Sequence, residues 1–363
     1  MPHTRPDGRF TDGVCGACLA FDQRASIDWP ARREQFLDII QQHKRHPVYD
    51  CVVGSSGGKD SHFITIKALE LGLKPLVVTA TTDILTDIGR RNILNLRELG
   101  VDSLEFTPNP VVRRTIMRIA LEEVGDIEWA EHCAIFGLPL RMAQDLGIGV
   151  VLYGENPQQE ISTGQGDAPN ATILDRRWRE EYGGLIGLRP DDLVGREGIT
   201  ESDVWPYQWP PDRAVPVFGL WLGQFFEWDG QKNAFLAQSN GFETWPAAVV
   251  GDGVNYESLD NAVVGIHDRF KFLKFGFGRA TDIASLLIRR GRLTRDEGLD
   301  FIRRHDGRLG RSYLGVSLES ILSQIGLTMS EYLEIEDRFT NPAIFRFEDG
   351  KPIKDSDGTP VFA

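Results

Sequence analysis

The sequence predicts an α/β fold with a doubly wound, mostly parallel sheet, followed by a loop-rich and helical C-terminal part. Three observations carry that expectation. From residue 49 onward, short runs rich in β-branched residues alternate with amphipathic helical stretches, as a parallel sheet with crossover helices requires. One strand-to-helix turn, 55-SSGGKDS-61, is rich in glycine and hydroxyl groups. Between about 160 and 260 the rhythm gives way to Gly, Pro and Trp, as in 205-WPYQWPPD-212, and helical periodicity returns over 265–330.

Residues 1–25 read as loop around the Cys15-Gly16-Ala17-Cys18 knuckle. Residues 29–46 read as a helix with Phe36, Ile39 and Ile40 on one face. Strand 49–54 and helix 60–71 follow, then strand 74–80, helix 86–99, strand 103–107, helices 111–124 and 137–146, and strand 149–153. Right-handed crossovers put the strand-to-helix loops on one edge, where ligands of open α/β sheets bind. The middle region reads as long ordered loops with short helices, a lid or substrate-facing insertion, and its tryptophans read mainly as core. The last dozen residues read as a small hairpin or a loose tail. The chain therefore divides into 1–47, a Cys-x-x-Cys segment and helix; 48–160, the sheet domain; and 161–363, a region facing substrate or partner.

The 363 residues carry a formal net charge of −13, with 41% hydrophobic and 26% charged residues. The length supports two domains, or one with a large elaboration. The acidic balance disfavours a broad nucleic-acid surface, which needs clustered Lys and Arg, and leaves room for a small basic pocket. No apolar run is long enough to cross a bilayer, and the polar N-terminus lacks a signal-peptide pattern, so the sequence reads as cytoplasmic. The four cysteines do not read as a disulfide framework there.

The loop opening at Ser55 is built for an anion. Gly57 and Gly58 allow backbone conformations closed to other residues and let the chain approach a ligand closely. Their amides and the helix N-terminus offer donors, Ser56 and Ser61 add hydroxyls, and Lys59 adds a positive charge. Asp60 suits a Mg²⁺ ligand, directly or through water; it equally suits the helix dipole, and both roles can coexist. His62 reads as structural. The loop is not a Walker A motif, because Val53 stands where the first glycine belongs and Asp60 where Ser or Thr belongs. Nor is it the dinucleotide G-x-G-x-x-G.

Residues 56-SGGKDS-61 resemble the S-G-G-x-D-S pyrophosphate loop of the ATP pyrophosphatase (PP-loop) superfamily, with its adenine nucleotide alpha hydrolase-like fold. That resemblance implies ATP and Mg²⁺ as cofactors, cleavage between the α and β phosphates, and an adenylated intermediate. Three further blocks, 81-TTDILTDIGRRNILNLRELGVD-102, 150-VVLYGENPQQE-160 and 267-HDRFKFLKFGFGRATDIASLLIRRGRLTRDEGLDFIRRHDG-307, resemble the N-acetyl sugar amidotransferase family. The resemblance spans about 10 to 310. It implies conversion of an acetamido group on a nucleotide-linked sugar to an acetamidino group, for lipopolysaccharide O-antigen or related glycans. Lys59 and Asp60 would then act on ATP, Glu155 would position the amide or accept a proton from ammonia, and Asn156 would hold the amide or a sugar hydroxyl. A strand-end cap at Glu155 and an Asx-turn at Asn156 before Pro157 are the plain alternatives. Lys274 and Arg279 would meet phosphates; otherwise they are solvated residues at a helix start. Thr82, Asp83, Thr86 and Asn92 fall where adenosine lies in that superfamily, although Thr86 is also well placed as a helix cap.

No glutaminase nucleophile is evident in the sequence. The resemblance therefore implies a separate glutaminase that supplies ammonia, with exogenous ammonium as a substitute. Cys15 and Cys18 offer half of a zinc site, with Cys133 as the leading third ligand and His132 or another residue as the fourth. The family usually has more cysteines: Ala130 stands where the first of a second C-x-x-C would fall, which leaves an unused thiol pair open. Cys51 reads as inert packing. A homo-oligomer is compatible with the sequence. Two other readings stay open: a PP-loop thiolase acting on tRNA or a small molecule, and an inactive nucleotide-binding scaffold.

Overall fold

The computed structural model describes residues 2–6, 8–154 and 173–363. Its centre is a six-stranded sheet built from β1 (Cys51–Ser55), β2 (Pro75–Ala80), β3 (Asp102–Phe106), β4 (Val150–Tyr153), β5 (Ile173–Leu174) and β6 (Phe218–Trp221), in the order β3-β2-β1-β4-β6-β5. The first five in that order are mutually parallel, and only β5 runs antiparallel, against β6. The inner strands read as unbroken apolar runs because both faces are covered. Cys51 and Val53 face Phe36 and Ile40 of α1 (Trp29–His43), Phe63 and Ile64 of α2 (Lys59–Glu70) and Leu96 of α3 (Asp87–Glu98). Val52, Val78 and Val151 face Leu140 and Ala143 on the opposite side. These two residues belong to α5 (Trp129–Leu146), which follows α4 (Pro110–Val124). The expected α/β sheet with helices on both faces is therefore present.

Three local expectations change and one holds. Residues 1–25 hold a small hairpin (Phe10–Thr11 with Val14–Cys15) and a helix over Gly16–Gln23, so the cysteine knuckle opens a helix. The helix expected at 137–146 begins at Trp129, because Pro139 sits inside it without ending it. Pro139 packs instead against the sheet, with its Cγ 3.4 Å from where a Gly54 Cβ would stand. The middle region also supplies two strands, β5 and β6. Finally, its aromatics do form core: Trp178 and Trp221, with ring centroids 4.8 Å apart, are buried with Tyr153.

A second core lies over α4. Met117 and Leu121 pack against Ile266 and Phe270 of α6 (Val264–Phe275) and Tyr332 and Ile335 of α8 (Met329–Phe339). Between them in sequence comes α7 (Arg279–Arg289). The end of the chain is a hairpin, Phe347–Glu348 with Lys351–Pro352, tied down by bridges Phe345↔Phe362 and Lys354↔Pro360. No helix among the described residues is long and apolar enough to cross a membrane.

Candidate functional site

Strand order reverses between β1 and β4: the chain leaves β1 toward β2 and β3, then returns to β4 on the other side. The loops after β1 and β4 diverge there, and the crevice between them is the ligand position of open α/β sheets. The loop after β1 is 55-SSGGKDS-61. Gly57 has φ +85, a left-handed conformation, and a Cβ there would stand 2.6 Å from Ile93 Cγ1. The amide of Gly57 donates to Ser55 Oγ (3.0 Å), that of Gly58 to Ser56 Oγ (3.4 Å) and that of Ser56 to Ser61 Oγ (3.2 Å). Gly58, the N-cap of α2, has no side chain to cap the helix. His62 is fully buried, with Nδ1 3.0 Å from Gly58 O and its ring edge-on to Phe242; burial lowers its pKa.

Lys59 is buried, and its ammonium lies 2.5 Å from Asp60 Oδ2 and 3.0 Å from Glu257 Oε1. Asn233 donates to the other Asp60 oxygen at 3.1 Å. Burial raises the Glu257 pKa against the pull of Lys59. The Ser56 hydroxyl acts on the Asp260 carboxyl, whose pKa burial lifts to about 6. The backbone holds this second layer in place. Thr86 N donates to Asp260 O at 3.0 Å, Ala262 N donates to Ile84 O at 3.0 Å, and Leu85 bridges Asn261. Gly89 permits the approach, since a Cβ there would stand 2.6 Å from Asp260 Cα. Thr86 caps α3 by accepting from Gly89 N.

The other expected residues divide. Thr82 is buried just beyond β2 and acts on Glu131, which pairs with Arg113 at 2.8 Å. Arg279 pairs with Asp268 at 3.0 Å and its charge acts on Glu257, so it belongs to the same electrostatic network as Lys59. Lys274 does not face the loop: its Nζ donates to Val124 O (3.2 Å) and Gly125 O (3.0 Å), closing the C-terminus of α4. Glu155 and Asn156 lie outside the described residues, directly after β4 and Gly154. Cys15 and Cys18 stand with sulfurs 3.4 Å apart. Cys133 does not join them, since its sulfur accepts from Arg179 Nη2 at 2.9 Å inside the core around Ala130 and Ala134. Burial pushes its thiol up to about 12.

Asn233, Glu257 and Asp260 were not singled out in the sequence. The acid- and glycine-rich stretch 250-VGDGVNYESLDN-261 was the available signal. That stretch falls within a region with known relatives. Residues 241–355 match the family described as LPS biosynthesis protein WbpG-like, C-terminal domain. No curated protein matches the chain. The WbpG-like segment is thus the part that brings Glu257 and Asp260 to the glycine loop and carries α6, α7 and α8. Its similarity relates the chain to LPS biosynthesis proteins.

Asp260 makes the site pH-sensitive. Its folded-state pKa lies above the usual Asp value, so its contribution to stability is full below about pH 4 and is lost as pH rises through about 6. Asp260→Asn is expected to stabilise the protein at about pH 8, by at most about 3 kcal/mol, and to give no gain near pH 4. Thermal unfolding of both proteins across that range checks it; an equal effect at both ends would mean that Asp260 titrates normally.

Proposed function

We propose that the chain is an ATP-dependent amidotransferase of the PP-loop type. It would activate the acetamido oxygen of a nucleotide-linked N-acetyl sugar and replace it with ammonia, for lipopolysaccharide or related surface glycans. The observation that carries this reading is the meeting of two parts: an S-G-G-x-D-S loop at the reversal of strand order, and a WbpG-like segment whose Glu257 and Asp260 contact that loop.

The residues fit ATP. The uncapped N-terminus of α2 and the loop amides suit a polyphosphate, whose oxygens would take the place of the serine hydroxyls as acceptors. Asp60 and Glu257 both touch Lys59 Nζ and would hold Mg²⁺ at the phosphates. ATP supplies AMP as a leaving group for an oxygen that leaves poorly. Lys59 is set to stabilise the departing pyrophosphate, while Thr82 and Ser56 line the same edge. The displaced oxygen departs with AMP as ammonia forms the new C–N bond. Glu155 and Asn156 remain the proposed contacts to amide and sugar, and a separate glutaminase the proposed source of ammonia. The thiolase reading has less support, because Cys133 is a buried, strongly protonated thiol held by Arg179.

The test is to incubate the full chain with ATP, Mg²⁺, ammonium and a panel of N-acetylated nucleotide sugars, then assay AMP, pyrophosphate and product mass. Sugar-dependent AMP with a lighter product is expected. A heavier product made only with a sulfur donor would favour the thiolase, and ADP in place of AMP would overturn the pyrophosphatase reading.

A further inference from the structure

A second cluster of side chains stands on the same edge of the sheet and plays no part in the proposed reaction. Asp126 lies in the turn between α4 and α5, His132 one turn into α5, and His267 at the start of α6. One potential ligand atom from each lies within 4.8 Å of the others. We propose that Asp126, His132 and His267 bind a divalent transition metal ion, with Zn²⁺ as the best chemical match and Glu128 beside it as a fourth oxygen.

The spacing supports this. Asp126 Oδ1 is 2.7 Å from His267 Nδ1, and Asp126 Oδ2 is 3.7 Å from His132 Nδ1. Glu128 Oε2 is 3.9 Å from His267 Nδ1. Zinc bonds of about 2.0–2.1 Å in a tetrahedron put neighbouring ligand atoms about 3.3 Å apart, a value these separations bracket. A bound ion would replace the hydrogen bond between His267 Nδ1 and Asp126 Oδ1.

Two independent observations add to the spacing. Nδ1 of His132 is buried with no hydrogen-bond partner, although it points at Asp126. In addition, the cluster is closed to water. Asp126 and Glu128 are 5% and 6% exposed, so two carboxylates are nearly dry. Lys274 is close enough to interact with Asp126, but its ammonium is bonded to the carbonyls of Val124 and Gly125. A divalent cation would give both carboxyl groups a partner that water does not reach to supply. Supporting hydrogen bonds are in place: Asn261 Nδ2 donates to Glu128 Oε1 at 2.8 Å, and Glu128 N donates to Asp126 Oδ1 at 2.9 Å. Two imidazoles and a carboxylate with open positions are a donor set used by zinc and by non-haem iron.

The site is distinct from the cysteine pair. His132 belongs to this cluster, while Cys133, its neighbour in sequence, points at Arg179. It also adjoins the glycine loop through the chain itself, since Asn261 follows Asp260, whose carboxyl the Ser56 hydroxyl acts on. A metal here would fix the junction of α5 and α6 that presents Asp260. The inference stands without the amidotransferase reading.

The full chain, stripped with a chelator, should be titrated with Co²⁺ and Zn²⁺ by calorimetry and visible absorption. Expected is one tight site whose Co²⁺ spectrum shows d–d bands without thiolate charge transfer, and which survives in Cys15→Ser/Cys18→Ser. His132→Gln and His267→Gln should each weaken binding by more than about a hundredfold, and Glu128→Gln by roughly tenfold. Circular dichroism of the metal-free variants establishes that they fold. The spectrum of the unaltered chain is decisive by itself if they do not. Absence of Co²⁺ and Zn²⁺ binding, a thiolate spectrum abolished by the cysteine substitutions, or undiminished affinity in folded histidine variants would each overturn the proposal.

Discussion

Lys59→Ala is expected to reduce ATP-dependent AMP and pyrophosphate release by about a thousandfold, the scale of losing a preorganised charge donor in a water-poor site. The side chain is 7% exposed and touches both Asp60 and Glu257. Without it, Mg²⁺ alone would stand between the two carboxylates and the incoming phosphates, so ATP binding should fall together with turnover. Lys59→Arg should not rescue activity. Lys59 is buried between Asp60 and Glu257, and the planar fork of a guanidinium cannot reproduce a compact ammonium there. Calorimetry of ATP binding and an AMP assay on the folded variants check this. Turnover equal to that of the unaltered protein would remove Lys59 from the reaction. ATP binding without turnover in the unaltered protein, given every co-substrate and an ammonia source, would favour an inactive scaffold.

The parts of this protein that were legible in sequence are those that local chemistry determines. β1, the glycine loop and α2 occupy one continuous stretch, and their boundaries fall within two residues of expectation. Thr86 reads as a cap because capping is a three-residue relationship. β6 was hidden because four residues, Phe218–Trp221, carry too little periodicity to stand out among Gly, Pro and Trp. The start of α5 was hidden because Pro139 signals an end that packing against Gly54 overrides. The second layer of the site was invisible for a different reason. Asn233 meets Asp60 across 173 positions, and His267 meets Asp126 across 141, so no spacing rule connects them. The cysteines show the converse limit: Cys15 and Cys18 carry a metal spacing, but nothing local reveals that Cys133 is already engaged by Arg179.

Glu336→Ala is expected to cost about 3–5 kcal/mol of stability, the largest effect foreseen for a single substitution outside the loop. Arg269 and Glu336 form a two-pronged pair at 3.0 and 3.1 Å, with both side chains almost fully buried. Arg269 also donates to Gly307 O and Gly358 O, each at 2.7 Å, and Tyr332 donates to Glu336 Oε1 at 2.8 Å. One ion pair thus fastens α6, α8, the turn at Gly307 and the C-terminal hairpin. Removing the carboxylate leaves a guanidinium in the core with only carbonyl partners, and that uncompensated charge is the source of the loss. Glu336→Gln keeps the shape and part of the hydrogen bonding, so it should cost less. Arg269→Met together with Glu336→Met removes both charges and should recover part of the loss, but not all, because Gly307 and Gly358 lose their donor. Urea unfolding of the three variants measures each step, and a cost below about 1 kcal/mol for Glu336→Ala would mean that water reaches the pair. The consequence extends to function through α6. His267 and Asp268 directly precede Arg269, so loosening this fastening should weaken the metal affinity inferred for His267 and the hold of Asp268 on Arg279 more in Glu336→Ala than in the double variant, where the helix remains packed.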